Sequence, residues 1–441
     1  MNHNTENARV VVIGGGLAGL AAATYLARAG RAVTLFEKAG VVGGLAVTKR
    51  HGEFYFNRGA HALYYQAEAG EVLRELGVHY SGREPSLSMA WAVEGKQLHL
   101  LPTSSLALMR TTIMDVPAKL ELGRLLATVQ LLDLQTLRGV SLQEWLEQQV
   151  HHPQVRQFLS AYARLTTYTN APQIMDAGFF MTLLRKIPRV LYLDGGWQAL
   201  VDGLRQAAEQ AGVQIVTSSR VEAIEHEEHV RGVRLAGGET CQAEAVVMAM
   251  DPAGASALVD GGTHAILSRW AQEAVPAQAA CLDVGLRRLP RPRSLFALGF
   301  DQPVYLSVHS AFAELAPKGG ALVHTVKYLR PGEPSDPRND EHELEALLDL
   351  VQPGWRAEVV ERQFLPHLNV VNAVIQAEQG GLTGRPGPAV PGIQNLYVAG
   401  DWVGPLDQLS GASLASARQA ARMILAASVV REAYEYPLRS K

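Results

Sequence analysis

The chain has 441 residues, 47% of them hydrophobic and 19% charged, with a formal net charge of -3 and both signs scattered along it. That length suits two or three domains with sizeable cores, and the lack of a basic run excludes a nucleic-acid-binding design. Only Cys241 and Cys281 are present, in no paired motif, which excludes a disulfide framework and a zinc site and favours a reducing compartment.

In chain order, the opening MNHNTENA lacks the basic start and apolar core of a secretion signal. No apolar run reaches the ~18 residues of a membrane span. A cytoplasmic location is expected, with contact to a membrane surface left open. Arg9 to Ile13 then reads as a buried strand of a parallel sheet. Gly14, Gly16 and Gly19 follow as GxGxxG at the mouth of a small-residue helix. In that pattern the first glycine turns the chain, the second lets backbone approach a pyrophosphate and the third packs helix on strand. The helix N-terminus offers free N–H groups to the phosphates. AVTLFE returns as a second strand ending at Glu37, near the ~20-residue spacing of an acid that binds adenosine-ribose hydroxyls. Gly43 and Gly44 provide another close backbone approach, which a ligand longer than one pyrophosphate can use.

Residues 117–134 have helical periodicity, with Leu120, Leu125, Leu126, Val129, Leu132 and Leu134 recurring at three or four. Pro117 suits a helix start, and Ser141 with Glu144 resembles a capping box. Core packing is the ordinary role of such a helix, and an interfacial or substrate-access role is the alternative. LFALGF, VYLSVHS and ALVHTVKYL alternate as antiparallel strands, the expected floor of a substrate cavity. RPGEPSDPRNDEHE reads as a polar surface loop, and the tail after Arg431 as frayed. Residues 395–399 form a strand with Asp401 at its carboxyl end, where open α/β sheets place ligands. A helix from about Gly411–Ala412 would aim its positive end at an anion.

With these residues in place, the chain resembles the FAD-dependent amine oxidase, protoporphyrinogen oxidase and phytoene desaturase superfamily. The likeness covers residues 10–65, 192–251 and 395–426. It implies an α/β chain with a discontinuous, Rossmann-type FAD-binding domain of the GR2-like flavoprotein kind (1–85, 186–255 and 385–430). An α+β substrate domain would combine a helical part (86–185) with an antiparallel sheet (256–384). It also implies Gly14, Gly16, Leu17, Ala18 and Gly19 on the pyrophosphate, Glu37 and Lys38 at the adenosine ribose, and Val221 backbone on the adenine. Gly43, Gly44 and Leu45 would run along the cofactor, with Gly400 and Asp401 at the ribityl chain. Gly411, Ala412 and Ser413 would meet the flavin's pyrimidine edge, and Arg58, Gly59, Ala60 and His61 its ring system. FNRGAH departs from the desaturases, which usually carry an acid before that glycine, so Asn57, Arg58 and His61 weigh against a carotenoid substrate.

The sequence contains no convincing Ser-His-Asp set, metal cluster or redox cysteine pair, so a flavin would carry the chemistry. Arg58, His61, Tyr65 and Lys327 are the candidate catalytic residues, the last because a lysine faces the flavin in amine oxidases of this superfamily. Tyr64, Tyr328, Trp402 and Asp407 are candidates for the same neighbourhood, while Tyr168 and Tyr192 read as ordinary core aromatics. The expected function is hydride removal from a largely apolar small molecule, with oxygen or a quinone reoxidising the flavin. The alternatives are a redox-neutral flavin isomerase and a non-catalytic binding protein. An NAD-dependent dehydrogenase would leave Gly43–Gly44 and Gly400–Asp401 unused. Substrate identity and oligomeric state are not legible.

Overall fold

The computed structural model describes residues 9–435, with side chains as far as residue 427. The opening MNHNTENA lies outside the described residues. Strand β1 (Arg9–Ile13), helix α1 (Leu17–Arg28) and strand β2 (Ala32–Phe36) form as the sequence predicts. They belong to a five-stranded parallel sheet ordered Leu396–Val398, Ala245–Met248, β1, β2, Gln214–Val216. Four consecutive apolar residues of β1 are needed because both faces are covered. Val10 and Val12 pack with α1, helix Gln198–Gln210 and helix Leu409–Glu435. Val11 and Ile13 face an antiparallel layer containing Ile224 and Val233. The sheet thus gathers residues far apart in sequence, and its carboxyl ends open on one side.

The second sheet has seven strands, ordered Val359–Val371, Ala277–Leu286, Ala321–Tyr328, Val304–Val308, Phe296–Gly299, Ala90–Glu94, Gln97–Leu100. All neighbours are antiparallel except Phe296–Gly299 with Ala90–Glu94. Alternation along the strands builds two cores. Ala280, Leu282, Val284 and Val323 pack under helix Pro337–Val351. Ala279, Cys281, Val326, Tyr328 and Leu368 face the opposite way, into the helical part spanning residues 105–186.

Three local expectations need correction. The predicted loop around residues 330–343 ends early, because Asp336 caps a helix that starts at Pro337. Proline is preorganised for a helix's first position, and an aspartate before it accepts an orphan N–H. The helix Leu409–Glu435 runs past Arg431, where fraying was expected, and residues 436–441 lie outside the described residues. Helix Val116–Thr128 is capped by Asp115 and has Pro117 in its first turn, but its predicted stripe is not all inward. Leu122 is buried while Leu120 is 70% exposed. The capping box at Ser141 and Glu144 is present.

Candidate active site

The loop after β1 and the loop after β2 close on each other. Gly43 N–H donates to the Gly15 carbonyl at 2.7 Å. Glu37 clamps both: Oε2 accepts from Gly15 N–H and Oε1 from Ala39 N–H, each at 2.7 Å. The carboxylate expected at a ribose is therefore first a fastener of the glycine loop, although it also lines the adjoining space.

That space is a cavity of about 570 Å³ at the carboxyl ends of the parallel strands. One wall is Gly14, Gly16, Leu17 and Ala18, with Gly43, Gly44 and Leu45 against them. A second wall brings Glu37 and Lys38 to Ser219, Arg220 and Val221, and to Met250, Gly254 and Leu258. Ser219 N–H donates to the Glu37 carbonyl at 2.9 Å, which holds this junction. The remaining walls are Gly400, Asp401, Leu409, Ser410 and Ser413 on one side, and Arg58, Ala60, His61, Ala62, Tyr168, Trp197, Leu368, Asn369, Val370 and Asn372 on the other.

The polar groups here have distinct states. His61 Nδ1 lies 3.1 Å from the Gly59 carbonyl, which can only accept, so that nitrogen carries the proton. Burial pushes the His61 pKa down, opposed by the backbone of Gly59 and Leu45. The ring meets Trp197 edge-on at 4.9 Å. Arg58 is exposed and has no carboxylate partner among the described residues. Asp401 accepts from Asn372 N–H and Nδ2 at 2.9 and 2.7 Å. Burial pushes its pKa up, and the Asn372 bonds and Arg385 charge hold it back. Tyr168, read from sequence as a core aromatic, ends helix Pro153–Thr167 at φ +56 and lines the cavity. A non-glycine residue in that conformation is uncommon.

Several expected residues stand elsewhere. Lys327 points to the other face of its sheet, where Nζ pairs with Asp340 at 2.9 Å and Glu343 at 2.6 Å of helix Pro337–Val351. Two acids on the covering helix decide which face it takes. Tyr65 turns away to donate to Glu84 at 2.5 Å, and Tyr64 donates to the Thr166 carbonyl at 3.0 Å. Tyr328 is buried in the helical core, and Trp402 donates to the Met250 carbonyl at 2.8 Å. Gly59 packs on Cys281 and Leu368 behind the cavity. Gly411 and Ala412 are also behind it, because the helix begins at Leu409. Gly411 has its own reason to lack a side chain, since a Cβ there would lie 2.0 Å from the Asp407 carboxylate. That carboxylate accepts from Glu68 N–H at 3.2 Å and Gln408 N–H at 2.7 Å.

Sequence reading missed Asn369, Asn372, Leu368 and Arg385. Arg385 is buried and donates to the carbonyls of Asp401, Gly404 and Asp407 at 2.6, 2.8 and 2.8 Å, stapling the loop before the last helix. Burial lowers its pKa to about 10. None of these four carries a local sequence signal, since long-range pairing alone brings them in.

The strand–glycine loop–helix cradle and its second glycine pair define a dinucleotide-binding α/β protein whose ligand continues past the pyrophosphate. Residues 17–425 match the model of the flavin containing amine oxidoreductases, and the chain belongs to that family, an FAD-dependent oxidoreductase class. The 4,4'-diaponeurosporene oxygenase of Staphylococcus aureus is 24% identical over 278 residues, 55% of this chain and 55% of that protein. The chain thus aligns with about half the length of the curated relatives it matches. Among solved structures, an oxidoreductase from Methanosarcina mazei superposes with a TM-score of 0.73 at 19% identity, covering 92% of this chain and 98% of that one. Cyclohexylamine oxidase from Brevibacterium oxydans gives 0.70 at 15% identity, covering 97% and 100%. These two share the fold.

The residues present fit the family's cofactor. Gly16 has an ordinary φ of -74, and no protein atom lies within 4 Å of a Cβ built on it. Nothing among the described residues demands a glycine there, and the space that a side chain would take is part of the cavity. Trp197 Nε1 and Asn369 Oδ1 are buried, belong to residues lining the same cavity and have no partner among the described residues. Buried polar groups of this kind are normally satisfied, and a donor and an acceptor suit a polar heterocycle.

Proposed function

We propose that the chain removes a hydride from a largely apolar small molecule and passes it to FAD. The observation that carries this reading is the apolar wall of the cavity where it meets the seven-stranded sheet. Ala60, Ala62, Leu368, Val370, Leu409 and Tyr168 stand there, and a cavity of this lining selects by shape and apolar contact. When bound, FAD supplies the hydride acceptor at N5. On this reading the discontinuous FAD domain is GR2-like. The α1 N-terminus with Gly14, Gly16, Leu17 and Ala18 holds the pyrophosphate, and Glu37 and Lys38 the ribose. Val221 backs the adenine, Gly43, Gly44 and Leu45 run along the cofactor, Gly400 and Asp401 stand at the ribityl chain, and Ser413 stands at the pyrimidine edge. Arg58, Ala60 and His61 stand at the ring system.

His61 is neutral near pH 7 because its cationic form is desolvated. It therefore orients and excludes water without repelling the cation that hydride loss leaves on the substrate. Arg58 supplies the positive charge that favours an electron-rich ring. Lys327, paired with Asp340 and Glu343, has no part in this scheme. Oxygen or a quinone must take the two electrons to complete the cycle. The named substrates of the relatives, 4,4'-diaponeurosporene and cyclohexylamine, are both mostly hydrocarbon and consistent with this lining.

The test is anaerobic mixing of the yellow holoprotein with a panel of apolar amines and polyenes, followed by air. Bleaching of the flavin bands by an apolar compound, reversed by an acceptor, is expected. If dithionite bleaches the bands and no apolar compound does, while a charged one succeeds, the substrate assignment fails.

A further inference from the structure

A helix in a water-exposed domain needs one apolar face, turned inward. Helix Val116–Thr128 has two. Ala118 and Leu122 are buried, whereas Val116 and Leu120 are 67% and 70% exposed. The neighbouring segments repeat this excess, with Leu106 and Met109 on helix Ser105–Arg110, Leu131 at 83% exposure and Ile187 at 66%. Hydrogen bonds tie the segments side by side. Lys119 Nζ donates to the Met109 carbonyl at 3.1 Å, Gln130 Nε2 to the Arg185 carbonyl at 3.1 Å and Arg185 Nε to the Val129 carbonyl at 2.8 Å. Scattered exposed leucines need no explanation, but six large apolar side chains on adjoining segments mark an interaction surface.

The charge on these segments is also sorted. Arg110, Arg124 and Lys186 are exposed and have no carboxylate partner among the described residues. The acids of the same stretch are occupied in holding backbone. Glu121 accepts from His151 and His152 N–H at 2.7 and 2.8 Å, and Asp115 and Asp133 cap helices through Ala118 and Gln135 N–H at 2.9 Å. What faces outward is six apolar side chains, the cations Arg110, Arg124 and Lys186, and the cap carboxylates of Asp115 and Asp133, which are already engaged by backbone N–H groups. Among the described residues no helix is long and apolar enough to cross a membrane, so the surface suits peripheral contact.

We infer that this face docks on an anionic phospholipid membrane. The six apolar side chains enter the boundary between headgroups and acyl chains, and Arg110, Arg124 and Lys186 meet the lipid phosphates. Helix Val116–Thr128 packs on helix Pro153–Thr167, whose capping Tyr168 lines the cavity. Two packed helices, Val116–Thr128 and Pro153–Thr167, therefore stand between the bilayer and the cavity. A route for substrate from bilayer to cavity rests on the apolar-substrate reading above, and the docking itself does not.

The experiment is flotation of the holoprotein with vesicles of phosphatidylcholine alone and of phosphatidylcholine with phosphatidylglycerol. Binding is expected to the anionic vesicles, to be weak to the neutral ones, and to fall as salt shortens the screening length. The double variant Met109→Asp with Leu120→Asp should lose about tenfold or more in partitioning, as expected when two buried apolar groups become charged. Arg110→Gln, Arg124→Gln and Lys186→Gln should each lose about fivefold. All these side chains are exposed, so flavin absorbance and thermal unfolding of the variants should match the wild type. Absence of flotation with either vesicle would overturn the assignment, as would flotation indifferent to the double variant. So would a concentration-dependent dimer that Leu120→Asp dissolves, since a second copy would then cover the face. Turnover is not read, so failure of the substrate assignment leaves this result standing.

Discussion

A methyl group added at Gly19 would lie 1.8 Å from the Gly14 carbonyl oxygen, whereas one added at Gly16 would meet no protein atom within 4 Å. The same three-glycine pattern therefore contains two different constraints, one from the protein and one from its ligand. Gly19→Ala should lower stability with or without FAD, because backbone must move. Gly16→Val, after removal of FAD, should unfold at the wild-type temperature yet bind FAD at least about tenfold more weakly, about 1.4 kcal/mol. Differential scanning fluorimetry and a flavin titration separate the two. A Gly16→Val protein with unchanged FAD affinity would put the pyrophosphate somewhere else. Glu37→Ala should lose on both counts. Of its two amide partners, Gly15 is buried and would be left unsatisfied at about 1–3 kcal/mol, whereas the N–H of exposed Ala39 can turn to water, and FAD affinity should fall by a similar amount.

Elements show why part of the site was legible and part was not. β1, α1 and β2, the capping box at Ser141 and the antiparallel strands around residues 296–328 are written in short-range rules. Helix caps, glycine turns and period-two alternation act within a few residues. The face a strand shows to its neighbours is a different matter. Alternation places Thr325 and Lys327 on one side of their strand, but only the helix packed there, carrying Asp340 and Glu343, decides which side it is. Composition disguised that helix as a loop, although Asp336–Pro337 was a readable start signal. Tyr65 was likewise named from its place in the glycine-rich segment and is held by Glu84, a partner no local rule identifies. Lys327→Met should accordingly leave anaerobic flavin reduction unchanged. Asp340, almost fully buried, would lose its counter-charge, and unfolding free energy in urea should fall by about 1–3 kcal/mol. A large loss of reduction rate with unaltered stability would return the lysine to the active site.

At the scale of the whole molecule, the buried centre of the second sheet couples stability to pH. His309 stacks on Tyr192 at 3.7 Å and lies 4.4 Å from the His324 ring. His324 Nδ1 is 2.7 Å from the Asp283 carboxylate, which Gln363 Nε2 joins at 3.1 Å while also donating to the Asn57 carbonyl at 3.0 Å. The network thus reaches the segment that leads to Arg58 and His61. Burial first, and then the charges of His324 and His61, push the His309 pKa well below its ordinary value of 6.5. Between the native and unfolded pKa values the unfolded chain binds a proton that the native protein refuses. Stability contributed here is present above about pH 6.5 and lost as pH falls, by about 1.4 kcal/mol per pH unit for each such histidine. Asp176, Asp401 and Asp407, whose pKa values burial raises, act in the opposite sense. Their native forms hold protons longer than the unfolded chain, so they favour folding at more acid pH. The two contributions overlap, and the difference between wild type and His309→Phe isolates the histidine. Phenylalanine keeps the stack on Tyr192 and cannot titrate. Urea unfolding at pH 7.5 and 5.5 (conditions about one unit either side of the unfolded histidine pKa) should show the wild type losing about 1 kcal/mol more than the variant. Equal losses would mean that His309 protonates in place, and that the centre of the sheet is open to water.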